Sequence, residues 1–257
     1  MIDSHCHLDR LACTPEAALD RAEQSGVHGL LLPGVDRAGL ARCASIASRH
    51  PQVRLAAGIH PDQALEDSAL EQPLATWLRE QARSLSLAAL GETGLDFSPH
   101  HERGPVTEAE RKVQMESFRT HLRLSLELDL PVIVHTRGAR EETLELLPEG
   151  AGGVIHCFTE DLAFANRALE LGYLISLSGI VTFRSADALR SVVRELPLEG
   201  LLVETDAPWL APVPLRGKSN EPAFVTHTAA CVADLKGVSV AELTACTDAN
   251  FQRLFGA

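Results

Sequence analysis

Short apolar runs rich in β-branched residues recur along this whole chain, and amphipathic helical stretches separate them. Eight candidate strands follow: Met1–His7, Gly29–Val35, Val53–His60, Leu87–Glu92, Pro131–His135, Gly153–Cys157, Gly172–Gly179 and Leu201–Thr205. Helix-start signals lie between several of them. Thr14 precedes Pro15, a cap followed by proline at the first helical position. Thr107 with Glu110, and Ser239 with Glu242, fit the capping box, and Gly26 suits a helix C-terminus. Strands alternating with helices over 257 residues, without a linker or low-complexity break, predict an α/β fold: a single (β/α)₈ TIM-type barrel spanning 1–257 as one domain. A doubly wound open sheet is the alternative. It more often carries a glycine-rich phosphate loop after its first strand, where this chain has His-Cys-His.

In such a barrel the chemistry sits where the strands end. His5 and His7 end the first candidate strand, and their spacing aims both imidazoles at one side. His60 ends the third, Glu92 the fourth, His135 the fifth and His156 the sixth, and Asp206 follows the eighth. Singly, each has a plain structural reading. The His5–His7 pair can be hydrogen-bonded at a strand end, Glu92 can cap a helix, His135 and His156 can pack, and Asp206 can cap the turn before Pro208. Jointly, four imidazoles and two carboxylates exceed one tetrahedral zinc site and suit two divalent ions sharing a ligand. The only lysines are Lys112, Lys218 and Lys236, none at a strand end, so the shared ligand is expected to be a carboxylate rather than a carboxylated lysine. Glu92 is the natural candidate.

The other polar residues are weaker signals. His60 reads as a substrate contact. Arg137 can bind an anion or form a structural salt bridge, and Arg216 and Lys218 can bind phosphates or be solvated. His28, His50, His121 and His227 read as surface or packing residues, and His100 and His101 follow the fourth strand within conceivable reach of the site.

Composition limits the partners. With 23 Lys+Arg against 35 Asp+Glu, a net charge of −12 argues against a broad basic face wrapping long nucleic acid, though not against a small phosphate site. The six cysteines are scattered without CxxC spacing, which fits reduced thiols. No apolar run approaches a membrane span and no signal peptide precedes His5, so a cytoplasmic monomer is expected.

The segments "DSHCHLD", "GIHP", "GETGLDF", "HTR", "HCF", "SGIVTF", "ETDAPWLAP" and "RGKSNEP" occur in that order across nearly the full chain. Together they resemble the TatD family of metal-dependent hydrolases, within the amidohydrolase-type barrels. The resemblance implies a (β/α)₈ fold and DNase or phosphodiesterase activity, commonly removing nucleotides from the 3′ end. It also implies that His5, His7, Glu92 and Asp206 hold one metal, and that Glu92, His135 and His156 hold the second. Two departures touch loops near the expected substrate path: Ser98 followed by "PHHERG", and Phe224 where the family has tyrosine.

The expected chemistry is metal-assisted hydrolysis of a phosphodiester at DNA or oligonucleotide ends, with zinc, magnesium or manganese ions activating water and stabilising the leaving oxygen. Asp206 and Glu92 are the catalytic carboxylates, Asp206 accepting the proton. His60, Arg137, Arg216 and Lys218 are the substrate contacts. Aromatic content of 4% argues for a footprint of one or two nucleotides rather than an extended stacking surface. Two rivals stand: an ester or amide hydrolase using the same ions, such as an aminoacyl-tRNA deacylase, and a non-catalytic metal-binding scaffold.

Overall fold

The structure, a computed structural model, describes residues 1–99 and 104–256. Eight parallel strands pair in sequence order: β1 (Ile2–Asp3), β2 (Gly29–Pro33), β3 (Val53–Ala57), β4 (Leu87–Asp96), β5 (Val132–Arg137), β6 (Gly153–Ile155), β7 (Tyr173–Leu177) and β8 (Leu201–Val203). The barrel closes at the β8–β1 seam. There Ser4 N–H donates to the Val203 carbonyl at 3.0 Å, and Cys6 bridges Ala207 in parallel register. Buried Asp3 staples the same seam by accepting from the Thr205 N–H at 2.9 Å and the Thr205 hydroxyl at 2.6 Å. Burial pushes the Asp3 carboxyl up to about 8.

The expected strands are all present, but most end early. Met1–His7, Gly29–Val35, Val53–His60, Gly153–Cys157, Gly172–Gly179 and Leu201–Thr205 shorten to the bounds above because the backbone leaves the ladder before the expected strand end. His60 N–H, for example, bonds to the Val35 carbonyl at 2.9 Å instead of to a strand neighbour. Two strands correct the expectation in the other direction: β5, expected to end at His135, runs on to Arg137, so His135 lies within it. β4 runs on to Asp96, and its register with β5 shifts between Leu90 and Thr93, so Glu92 lies within the strand at an irregularity rather than at its end. Such an inserted residue re-aims a side chain without ending the pairing.

Alternation divides the core. Ile2, Leu31, Ala56, Ala88, Ala89, Ile133, Val154, Leu174 and Leu202 form a cluster to which every strand contributes, and Phe251 and Phe255 of the helix Val240–Phe255 pack in it. Their neighbours Leu30 and Leu32 join a separate cluster with Leu19, Leu40 and Ile46 of the surrounding helices. The capping signals act as anticipated: Thr107–Glu110 and Ser239–Glu242 both form reciprocal capping boxes. Among the described residues no helix is long and apolar enough to cross a membrane.

Candidate metal centre

β4 and β5 meet unusually closely where the polar side chains gather. Gly94 has φ +138°, and a Cβ there would collide with the His135 carbonyl, so the "GETG" stretch admits no side chain at this contact. This packing leaves Glu92 almost fully buried at the centre of the mouth. Its two oxygens face different groups.

Around Oε2 lie His5 Nε2 at 3.2 Å and His7 Nε2 at 3.5 Å. The two ring nitrogens are 3.1 Å apart, and Asp206 Oδ1 lies 3.8 Å from the first and 3.5 Å from the second. Around Oε1 lie His156 Nε2 at 2.9 Å, His135 Nδ1 at 3.2 Å and His60 Nε2 at 3.4 Å. His135 Nδ1 and His156 Nε2 are themselves 3.2 Å apart. Donors about 2.0–2.1 Å from a common zinc ion at tetrahedral angles stand about 3.3 Å from one another. Both groups have that spacing, and their nitrogen and carboxylate donors suit a divalent cation. The two halves touch, since His5 stacks on His156 with ring centroids 4.0 Å apart.

The environment is strongly coupled. Burial opposes ionisation of Glu92, yet the charges of His156, His60 and His5 and the His135 hydrogen bond hold it well below the usual carboxylate range. Asp206 is likewise held down against burial, by the His7 hydrogen bond and the charge of His5. Burial lowers His5, and the neighbouring His156 charge adds to the effect. In His135 and His156 the adjoining carboxylates overcome burial and raise both rings. Those carboxylates include two outside the expected ligand set. Asp96 Oδ2 faces His135 Nε2 at 3.4 Å, and wholly buried Glu204 presents Oε1 to His156 Nδ1 at 3.4 Å while accepting the Cys157 N–H at 2.8 Å. Both stand inside segments already singled out, Asp96 in "GLDF" and Glu204 two residues before Asp206, but the segments do not say that these side chains turn towards the centre.

His60 stands apart from the other histidines. Its Nδ1 accepts the Asp62 N–H at 3.2 Å, so the neutral ring carries its proton on Nε2, towards Glu92. Burial pushes this ring down to about 4. The open cleft above the centre, about 200 Å³, is lined by His7, His60, Arg10, Gln63, Cys157 and Trp209 among others. Three expected contacts stand outside that lining. Arg137 is 68% exposed with Nη1 3.9 Å from Asp96 Oδ2, Arg216 lies over the Phe183 ring at 3.8 Å and donates to the Ala211 carbonyl, and Lys218 is exposed. His100 and His101 lie outside the described residues.

Residues 2–256 match the family model described as TatD related DNase. The chain is 42% identical over 264 residues to the uncharacterized metal-dependent hydrolase YcfH of Escherichia coli, covering 99% of this chain and 95% of that protein. It is 35% identical over 250 residues to the 3′-5′ ssDNA/RNA exonuclease TatD of Erwinia tasmaniensis, covering 93% of each. The crystal structure of the TatD homolog YjjV from Escherichia coli superposes with a TM-score of 0.87 at 31% identity, covering 100% of this chain and 98% of that one. The chain therefore belongs to the TatD family of metal-dependent hydrolases.

Proposed function

We propose that this hydrolase cleaves phosphodiesters with two divalent ions and removes nucleotides from the 3′ ends of DNA. The observation that carries the reading is Glu92, whose oxygens each face a separate set of imidazoles. His5, His7 and Asp206 would hold one ion with Glu92 Oε2, and His135 and His156 the other with Oε1. Ions bound there would supply a water acidic enough to attack at neutral pH and would neutralise charge on the leaving oxygen.

The chain's own residues do the rest. Asp206, at the cleft beside His7, accepts the proton of the attacking water. His60 directs its Nε2–H at Glu92 and at a phosphate oxygen entering the cleft. Arg137 neutralises the phosphate from the β5 side, and Arg216 and Lys218 meet the backbone further along. We read the chain as one domain acting as a cytoplasmic monomer, which suits its free cysteines. The DNA-end specificity draws on the name of the Erwinia relative and on the acidic surface, which offers few sites to grip a duplex interior.

Metal-free protein should be reloaded with Mg²⁺, Mn²⁺ or Zn²⁺ and given 5′-labelled linear single-stranded DNA, the same sequence circularised, and an aminoacyl ester. Stepwise shortening of the linear strand, much slower attack on the circle and loss of activity with EDTA are expected. Equal rates on circle and line would remove the end-specific reading. Ester hydrolysis with untouched DNA would replace it with the esterase reading.

A further inference from the structure

We infer that Trp209 is a stacking platform for one base of the substrate, a binding subsite at the rim of the cleft; the inference rests on the phosphodiesterase reading above. The chain has two tryptophans. Trp77 is 7% exposed in the core, whereas Trp209 is 47% exposed and is the only aromatic among the exposed large apolar residues described. Packing does not require an indole in that position.

Its placement is nonetheless fixed. Trp209 N–H donates to the Asp206 carbonyl at 3.0 Å, and its own carbonyl accepts from Asn220 Nδ2 at 2.6 Å. Asn220 is buried and also ties down the Thr205 carbonyl at 2.8 Å. The segment that delivers Asp206 to the centre thus also holds the indole. The Trp209 and His7 rings meet edge-on, with centroids 5.1 Å apart and planes 73° apart, leaving much of the indole open to solvent. Arg10 lines the same cleft and is held by Asp36 at 3.5 Å.

Size supplies the ligand class. A cleft of about 200 Å³ falls below the roughly 300–1,000 Å³ of pockets that enclose a whole small molecule. It accommodates a phosphodiester with part of a sugar, so the attached base must lie at the rim, where Trp209 offers a π face. Stacking on an aromatic side chain tolerates any base, as a nuclease of low sequence preference requires.

The test uses metal-loaded Trp77→Phe protein, in which Trp209 is the sole fluorophore of its kind. The probes are a phosphorothioate dinucleotide and its counterparts lacking one or both bases. Quenching of indole fluorescence by the intact probe is expected, with binding weaker by roughly 5–150-fold when the stacking base is removed. In the natural Trp77 background, Trp209→Ala should raise KM for oligonucleotides by a similar factor with kcat nearly kept, and Trp209→Phe should restore most of the loss. Absence of quenching, or quenching indifferent to removal of both bases, overturns the platform. Hydrolysis of the ordinary dinucleotide is followed separately. Base-dependent quenching without hydrolysis keeps the platform and removes the phosphodiesterase reading, and hydrolysis without such quenching does the reverse.

Discussion

His5 and His7 reach Glu92 from the seam where β8 meets β1, and the outward Nδ1 of each ring is buried without a hydrogen-bond partner. His135 and His156 reach its other oxygen from β5 and β6; the outward His135 Nε2 is hydrogen-bonded to Asp96 at 3.4 Å, and the outward His156 Nδ1, although it too makes no hydrogen bond, lies 3.4 Å from the Glu204 carboxylate. A carboxylate behind an imidazole fixes the tautomer and raises the basicity of the nitrogen turned inwards. The β5–β6 half is accordingly the preorganised one. In the seam half the inward nitrogens meet each other, Glu92 and Asp206, but the outward Nδ1 atoms have no hydrogen-bond partner, and this half keeps Asp206 at the cleft. On the two-ion reading proposed above, the β5–β6 half would retain its cation and the seam half would do the chemistry.

The strongest way to break this comparison is to remove what the halves share. Glu92→Gln replaces a carboxylate oxygen with an N–H donor. Metal content should fall in both halves, and turnover should drop by more than about 10⁴-fold, beyond the 10²–10⁴-fold typical of losing a proton acceptor alone. Metal analysis and rates on one folded preparation, with wild-type circular dichroism, check this. Full metal content would show that Glu92 is not shared. Asp206→Asn should be milder, with turnover lower by at least about 10²-fold while most metal stays. If metal disappears in step with activity, Asp206 is chiefly a ligand.

The asymmetry itself is tested at the carboxylates behind the rings. Asp96→Asn and Glu204→Gln should each weaken one bound ion by about 10–100-fold, read by competition with a chromogenic chelator, and leave the other ion unchanged. Equal weakening of both ions would mean that the halves act as one unit.

These backing residues also mark where sequence reading stops. The six proposed ligands were legible because each follows an apolar run that a barrel must bury, so a charged side chain there needs a reason. The order of the strands was legible for the same reason. Asp96 was hidden because nothing in "GETGLDF" announces that the strand continues past Glu92; that depends on the register shift against β5 and on the close contact at Gly94. Glu204 was hidden by its neighbour Asp206, since only the fold tells which carboxylate turns inwards. Arg10 ends the 3₁₀ helix Leu8–Arg10 and Trp209 lies in a bend after β8, and the convergence of these connections on one cleft is a property of the closed barrel.

A smaller effect concerns the wall behind His60. His121, for which the sequence leaves surface and packing roles open, is fully buried: Nδ1–H donates to the Ser117 carbonyl at 2.8 Å and Nε2 accepts the Ile59 N–H at 3.2 Å. Burial pushes it from 6.5 down to about 4. A depressed folded value means that the unfolded chain takes up the proton first, so this stability is complete above pH 6.5 and drains away as pH falls towards 4. About 2 kcal/mol should be lost by pH 5. In urea unfolding of metal-free protein, His121→Gln should be weaker at pH 7.5 but lose about that much less on going to pH 5. An unchanged difference between the two pH values would assign the acid sensitivity to other groups.

The least effect asks over which half the polymer runs. Arg137 leaves β5 and is largely free, with Asp96 only at 3.9 Å, whereas Arg216 and Lys218 follow β8 on the side of Trp209. Arg216 already spends part of its guanidinium on Phe183 and the Ala211 carbonyl, and Lys218 is exposed. For single strands each neutralised phosphate contributes about 0.7 to the slope of log K against log salt. If the strand leaves across the seam half, Arg216→Gln with Lys218→Gln should flatten that slope by about 1.4, and Arg137→Gln by about 0.7. Fluorescence anisotropy of a labelled oligonucleotide at several salt concentrations measures both. An unchanged slope in the β8-side pair together with a flattened one in Arg137→Gln would turn the path around: the backbone would cross β5, over the preorganised half, and the seam side would face only the terminal nucleotide.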